Sequence, residues 1–397
     1  MVVLRLVTRV RGVEGIRALA VLAVLVYHNW LYTGPSGAPA NMGPLSRWIL
    51  PHLSVGVTLF FTLSGFLLYR PIVARTLSGR PLQSLGSYLR NRGLRIVPAY
   101  WAILIATGVL LPATLIHTSG SRFELSRLTE QPSALIPNAF LMQNYFPRSM
   151  DTGIPPAWSL AVEIAFYLLL PFLGLLAAFL ATRASSPRLR IAAVMVPPLL
   201  LLVVGMATAW AWGDIRTHMG QTASDIVGRS FLNHADLFTF GMSLAVLMVA
   251  IEHGVLSLPR WWRVPTYATL ALLVGATMLL ADRGAILIHR GAVLYELVTC
   301  AAATLLLALV VLPSAGASRS IFTRILDTRL FVAVGLVSYS LFLWHEPILR
   351  LANEWEWTVG GPGGFWINLL ILGVVSLALA MLTYRLVERP ALAHKKR

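Results

Sequence analysis

Residues 157–180 read AWSLAVEIAFYLLLPFLGLLAAFL, an apolar run whose single charged side chain is Glu163. About 20 consecutive apolar residues are enough for a helix to cross the hydrocarbon core of a bilayer. Ten such candidate spans occur along the chain: 13–32, 51–70, 96–116, 157–180, 191–212, 230–251, 265–281, 291–313, 331–350 and 364–387. The sequence therefore predicts an all-α fold, a polytopic transmembrane helical bundle of about ten spans. We expect one domain over residues 1–397.

The composition excludes a soluble globular protein. Hydrophobic residues make up 57% of the chain and charged residues only 12%, whereas a soluble domain carries about 25% charged residues. The formal net charge of +16 would suggest nucleic acid in a soluble protein. Here the basic residues lie in short loops between apolar runs, so we expect the lipid bilayer as a partner and no nucleic acid. The one cysteine, Cys300, lies within an apolar run and excludes a disulfide framework.

The distribution of Lys and Arg predicts the orientation of the spans. Most of the 32 Lys and Arg residues fall on one side when the N-terminus is placed in the cytoplasm, as the positive-inside rule requires. An even number of spans returns the C-terminus to the same side. We therefore expect a multi-pass protein of the inner (plasma) membrane with both termini cytoplasmic. The longest outer loop, about 117–156, is rich in proline and is expected to form an irregular cap, with no soluble extracytoplasmic domain.

Titratable side chains inside the spans are functional candidates, because each costs several kcal/mol in the bilayer. They are Arg17, His28, Glu163, Asp236, Glu296, His345 and Glu346. Arg17 and His28 share one face of a helix, about 16 Å apart along its axis at 1.5 Å per residue. All except Arg17 are expected in the outer third of the membrane.

Histidines near carboxylates suit general-base catalysis on a hydroxyl. The same residue types serve a proton relay in a transporter or flippase, and a structural hydrogen-bond network would also explain them. A metal site from His28, His345 and Glu163 is geometrically conceivable, but we expect no metal. The residue types alone leave catalysis and transport open.

Two features lie away from this outer level. Arg92 and Arg95 are three residues apart and would form a phosphate site with Arg17, although positive-inside topology explains them equally well. The pair Ser64-Gly65 interrupts an apolar run, where a small residue permits close approach of a neighbouring helix or a ligand.

Six stretches together resemble acyltransferase family 3, polytopic O-acyltransferases of surface polysaccharides, lipids and macrolides. They are 14–20 (EGIRALA) leading to His28, 60–68 (FFTLSGFLL), 92–100 (RGLRIVPAY), 158–163 (WSLAVE), 338–345 (SYSLFLWH) and 388–390 (ERP). The spacing of ten residues between Arg17 and His28 and the Arg-x-x-Arg of Arg92 and Arg95 are typical of the family. The departures are Ile164 and Ala165, where many members have a further Glu or Gln. Some members also continue into an extracytoplasmic hydrolase-like domain, which the chain ending at Arg397 is expected to lack.

The resemblance implies an O-acyltransferase that takes an acyl group, usually acetyl, from cytosolic acyl-CoA. CoA would be a donor substrate, and no cofactor is expected. The acceptor would be a hydroxylated glycan, lipid or macrolide-like molecule. The expected catalytic residues are His28, Glu163 and His345. The expected acyl-CoA-binding residues are Arg17, Arg92, Arg95, Ser64 and Gly65, and the expected acceptor or supporting residues are Trp158, Ser159, Asp236, Glu296 and Tyr339. A proton-coupled transporter remains the alternative.

Overall fold

The computed structural model describes residues 10–34, 39–117, 123–283, 290–313 and 320–395. The helices in chain order are α1 (Val13–Tyr32), α2 (Pro44–Trp48), α3 (Gly56–Leu77), α4 (Leu85–Ile105), α5 (Pro132–Ala139), α6 (Trp158–Thr182), α7 (Pro187–Met219), α8 (Gln221–Arg229), α9 (Asp236–Glu252), α10 (Arg263–Arg283), α11 (Arg290–Val311), α12 (Ile321–Leu326), α13 (Arg329–Glu354), α14 (Gly361–Thr383) and α15 (Arg389–Ala393). Two strands, β1 (Thr114–His117) and β2 (Phe123–Ser126), form an antiparallel hairpin. The predicted all-α membrane bundle is confirmed. The cytoplasmic position of the termini stays a prediction, and Lys396 and Arg397 lie outside the described residues.

Within the described residues, nine helices are long and apolar enough to cross a membrane, against the ten spans predicted. The difference is α9, which has 17 residues and corresponds to the predicted span 230–251. A 3₁₀ turn, Leu232–His234, precedes it. Asp236 is therefore the first residue of α9 and not, as expected, two turns inside a span. Most of α9 is buried between α3, α7 and α11.

Helix α9 approaches α3 very closely through two glycines. A β-carbon on Gly65 of α3 would lie 2.2 Å from the carbonyl oxygen of Phe238, and one on Gly241 of α9 would lie 1.8 Å from that of Thr62. Real β-carbons do not come so near to a carbonyl oxygen. Small residues that let two backbones meet are typical of membrane helix pairs. Of the two interpretations of Gly65, the structure supports helix packing.

A second close pair, α1 and α13, forms the centre of the bundle, with α14 packed against both. The described part of the predicted outer loop forms a cap of two paired strands, α5 and 3₁₀ turns. Residue Leu115 of β1 also pairs with Gly153, which closes the cap on itself. Strand β2 contacts α13, so the hairpin covers the end of α13 that follows His345.

Candidate active site

Two histidines and a glutamate meet where the end of α1 contacts α13; we call His28, His345 and Glu346 the histidine cluster. Nδ1 of His28 lies 3.0 Å from Nε2 of His345. Nε2 of His28 lies 3.4 Å from Oε2 of Glu346. His345 and Glu346 are buried, whereas His28 is partly exposed. The two histidines predicted to be catalytic are therefore in one site.

Hydrogen bonds to main-chain carbonyls define the tautomers in the neutral pair. Nδ1 of His345 lies 3.3 Å from the carbonyl oxygen of Leu341, which can only accept, so this nitrogen carries the hydrogen. Nε2 of His345 then accepts from Nδ1–H of His28, which also faces the carbonyl oxygen of Val24 at 3.1 Å. His28 is left with a lone pair on Nε2, next to the Glu346 carboxylate. This atom is the basic centre of the cluster.

The carboxylate of Glu346 is held by two side chains that were not among the predicted site residues. Tyr32 donates its hydroxyl to Oε1 at 3.0 Å, and Nε of Arg350 donates to the same oxygen at 2.8 Å. Nη2 of Arg350 also donates to the Tyr32 hydroxyl at 2.6 Å. The Tyr32 ring stacks on His28 with 5.9 Å between centroids. The spacing of Glu346 and Arg350, four residues apart on a helix, was a signal that could have identified the pair.

A cavity of about 120 Å³ lies between α1, α3, α4, α6 and α13. We call it the arginine cavity. Its polar lining consists of Arg17, Ser64, Arg92, Arg95, Ser159, Glu163, Tyr167 and Tyr339. The structure thus brings the three predicted donor-binding arginines to one cavity, together with Ser64.

Two arginines of this cavity have N–H groups without a hydrogen-bond partner among the described residues. Nε of Arg92 and Nη2 of Arg95 are buried and have no hydrogen-bond partner among the described residues. Nη1 of Arg95 lies 3.8 Å from Oε2 of Glu388, whose other oxygen accepts from Ser340. A π-helical turn, Tyr384–Glu388, precedes α15 and ends at this buried glutamate. The positive charge of the arginines is only partly balanced by carboxylates of the cavity. Guanidinium donors without a partner in such a cavity suit an anion such as a phosphate.

Glu163 belongs to the arginine cavity and not to the histidine cluster. Its Oε1 accepts a hydrogen bond of 2.5 Å from Ser64, and its carboxylate also accepts from Tyr167. The guanidinium of Arg92 lies 5.9 Å from the centroid of the Tyr167 ring. The carboxylate therefore belongs to the polar wall of the arginine cavity.

The two other predicted acidic residues form a third group. Asp236 is buried and lies close enough to Glu296 for electrostatic interaction. Oε1 of Glu296 lies 3.8 Å from Nδ1 of His234, whose ring is 5.4 Å from that of Trp158. The six residues expected at one outer level thus belong to three separate groups, because span depth alone does not fix which helices are neighbours.

The remaining predicted residues have local partners. Ser159 lines the arginine cavity and donates to the carbonyl oxygen of Pro156 at 3.0 Å. Tyr339 lines it as well and donates to the carbonyl oxygen of Ile96 at 2.9 Å. Both hydroxyls are thereby fixed in the cavity wall.

One aromatic pair links the lining of the arginine cavity to the histidine cluster. Phe60 and Phe342 both line the cavity, and their ring centroids are 5.6 Å apart in an edge-to-face arrangement. The Phe342 ring in turn lies 5.7 Å from that of His345. The Phe342 ring is thus adjacent to both the arginine cavity and the histidine cluster.

On the opposite side of the cluster lies a polar pocket of about 340 Å³, which we call the outer pocket. Its lining residues are Tyr32, Leu115, Glu124, Leu125, Arg350, Asn353 and Glu354. Tyr32 and Arg350 belong both to this pocket and to the hydrogen-bond network of Glu346. The histidine cluster therefore lies between two cavities of different character.

The ligand atoms of the histidine cluster lie within 4.8 Å of one another, a spacing that a metal site would also have. However, Nε2 of His345 accepts from His28, and Oε1 of Glu346 accepts from Tyr32 and Arg350. A cationic guanidinium on the carboxylate opposes a second cation there. The arrangement suits proton transfer better than metal binding.

The chain is similar to known acyltransferases. The family model described as "Acyltransferase domain" matches residues 10–385. The chain is 25% identical to "O-acetyltransferase OatA" of Staphylococcus aureus over 386 residues, which cover 96% of this chain and 56% of that protein. It is 26% identical to "Putative peptidoglycan O-acetyltransferase YrhL" of Bacillus subtilis over 400 residues, 96% of this chain and 54% of that protein.

A third relative matches over most of its own length. The chain is 24% identical to "Acyltransferase MdmB" of Streptomyces mycarofaciens over 389 residues, which cover 96% of this chain and 89% of that protein. The chain spans about half the length of the two O-acetyltransferases. No solved structure matches. The family match extends over nearly all of the membrane bundle, and the protein therefore belongs to this acyltransferase family.

Proposed function

We propose that the protein transfers an acyl group from cytosolic acyl-CoA to a hydroxyl of an acceptor on the other side of the membrane. We expect this acyl group to be acetyl. One observation carries the proposal. A single helix, α1, contributes Arg17 to an anion-suited cavity and His28 to a basic cluster beyond it. Donor and base are thus linked along one rigid element.

The donor end is supported by the arginines. Arg17, Arg92 and Arg95 line one cavity, and two of their nitrogens are buried with no hydrogen-bond partner in the part of the chain that the structure describes. The diphosphate of CoA carries charge that guanidinium groups bind with two parallel hydrogen bonds. Its pantetheine arm would then extend along α1, past Phe342, and present the thioester to His28.

The chemistry follows from the free lone pair on Nε2 of His28. The acceptor hydroxyl gives its proton to this nitrogen as its oxygen attacks the thioester carbonyl. The carbon–sulfur bond then breaks, and the CoA thiolate takes up the proton from the imidazolium. Glu346, 3.4 Å away, stabilises the imidazolium while it exists. One ester bond forms, one thioester bond breaks, and the enzyme is returned unchanged.

The acceptor end is supported by the outer pocket. Its carboxylates, amide and guanidinium match a molecule that presents several hydroxyls, and Tyr32 connects it to His28. A relative in Bacillus subtilis is named for peptidoglycan. An envelope glycan is therefore the acceptor class that we propose.

The test compares a strain lacking the gene with strains that carry the intact gene or a variant. Ester-bound acetate is released from the envelope by mild alkali and quantified. We expect deletion to remove an acetyl mass, the intact gene to restore it, and His28→Ala to restore none. His253→Ala, which changes an exposed histidine after α9, serves as the matched control and should restore it fully. Full restoration by His28→Ala would exclude His28 as the base, and an unchanged acetate content in the deletion strain would contradict the function itself.

A further inference from the structure

A second pocket adjoins the arginine cavity, and we call it the side pocket. It lies between α3, α4 and α6, has a volume of about 230 Å³ and shares Arg92 with the arginine cavity. It is on the same side of the bundle as the α3–α4 connection, which is the predicted cytosolic side. A ligand bound at Arg92 therefore has access to both spaces.

The lining of the side pocket combines apolar walls with a few polar groups. Tyr88 and Phe172 supply aromatic surface, and Gln83 supplies an amide. The Tyr88 hydroxyl is buried without a hydrogen-bond partner among the described residues. Mostly apolar pockets with a small number of polar groups are typical of sites for organic ligands. An unpaired buried hydroxyl additionally calls for a partner in the ligand.

The polar groups distinguish the side pocket from a groove for lipid chains. An apolar groove of about 420 Å³ lies between α1, α13 and α14, and its lining runs from Leu22 on α1 to Leu377 on α14. The side pocket instead has Arg75, Gln83 and Tyr88 in its wall. A hydrocarbon chain would leave the buried Tyr88 hydroxyl without a partner among the described residues.

We propose that the side pocket binds the adenine ring of the CoA donor. This inference rests on the proposed function, since it assumes that the CoA diphosphate binds at Arg92. Adenine is flat and largely apolar on its faces, which suits contact with Tyr88 and Phe172. Its edge both donates and accepts hydrogen bonds, which suits the Gln83 amide and the Tyr88 hydroxyl. The adenosine lies beside the diphosphate in CoA, as the side pocket lies beside Arg92.

The test measures dissociation constants for the purified full chain in detergent. CoA, 3′-dephospho-CoA and 4′-phosphopantetheine are compared. The last two ligands differ by the adenylate group, and neither of them carries the 3′-phosphate of CoA. We expect 3′-dephospho-CoA to bind about tenfold or more tightly than 4′-phosphopantetheine, which corresponds to about 1.4 kcal/mol. In Tyr88→Phe and in Phe172→Ala the ratio should fall by several-fold. The part of the ratio that remains is due to the second phosphate, which 3′-dephospho-CoA has and 4′-phosphopantetheine lacks. Neither change should alter the affinity for 4′-phosphopantetheine.

The control is Phe179→Ala, which removes another lipid-exposed phenylalanine of α6 outside the side pocket. It should keep the full ratio. Equal affinities for the two ligands in the intact protein, or a ratio that survives in both pocket variants, would overturn the adenine site and leave the CoA donor standing. A change in copurified phospholipid with an unchanged ratio would likewise assign the pocket to lipid. If no protein binds CoA at all, the proposed function itself fails.

Discussion

Nδ1 of His28 lies 3.0 Å from Nε2 of His345 and, in the neutral tautomers assigned above, donates its hydrogen there, so the buried histidine on α13 orients the more accessible one on α1. This relationship predicts that the role of His345 is to accept a hydrogen bond at Nε2, and that its ring does not itself have to titrate. We expect His345→Ala to lower the rate of acyl transfer by about 10²-fold or more, within the range for losing a positioned general base. His345→Gln, whose amide oxygen accepts a hydrogen bond, should retain clearly more activity.

Initial rates with acetyl-CoA in proteoliposomes measure this difference. The KM for acetyl-CoA should stay near that of the intact protein in both variants, because His345 does not line the arginine cavity. Equal rates for the alanine and glutamine variants would show that orientation of His28 is not the role of His345.

Phe342 is adjacent to both the arginine cavity and the histidine cluster, and its size should limit the acyl group that reaches His28. Phe342→Ala is expected to raise the rate with butyryl-CoA relative to acetyl-CoA, because the shorter side chain widens the passage. Phe342→Trp should lower both rates. Competition assays with the two donors provide the ratio, and Phe331→Ala, at the other end of α13, is the control. An unchanged ratio in Phe342→Ala would mean that the acyl group takes another path.

The amino-acid sequence predicted the helical bundle, and it predicted that Arg17 and His28 lie on one face of α1. It did not predict how the acidic residues are grouped. Hydropathy fixes span length, and the spacing of Arg17 and His28 fixes their face, since both depend only on helix geometry. The separation of Glu163 from His28 depends on which helices pack together, and no local pattern contains that information. Tyr32 and Arg350 escaped prediction for a related reason: each is the last residue of a predicted span, 13–32 or 331–350, where a tyrosine or an arginine is ordinary at a membrane interface.

Lys395, just beyond α15, should make the affinity for acetyl-CoA depend on pH. Burial, with added repulsion from Arg92, Arg95 and Arg17, lowers the pKa of Lys395 to about 8. The amine is therefore charged below pH 8 and loses its charge as the pH rises through this value. We expect affinity for the CoA phosphates to fall several-fold between pH 7 and pH 9. Because a bound phosphate raises the pKa of a neighbouring amine, binding near pH 8 should also take up protons.

Calorimetric titrations in buffers of different ionisation enthalpy detect both effects. Lys395→Arg stays charged over this range, so its affinity should vary much less and its proton uptake should disappear. Lys395→Gln should bind weakly at both pH values. A pH dependence that is identical in all three proteins would assign it to another group.

Gly65 and Gly241 predict where the bundle cannot accept a methyl group. A β-carbon at Gly65 would meet the carbonyl oxygen of Phe238, which belongs to the backbone of α9 and cannot rotate away. Gly65→Ala should therefore push α3 and α9 apart and lower the free energy of unfolding by about 1–3 kcal/mol, the usual cost of overpacking. Gly275→Ala in α10 is the matched control, since a β-carbon there meets no atom within 4 Å among the described residues. That change should be neutral or slightly stabilising, because alanine favours the helix over glycine. Thermal unfolding of the purified proteins in detergent distinguishes the two, and equal midpoints would refute the close contact of α3 with α9.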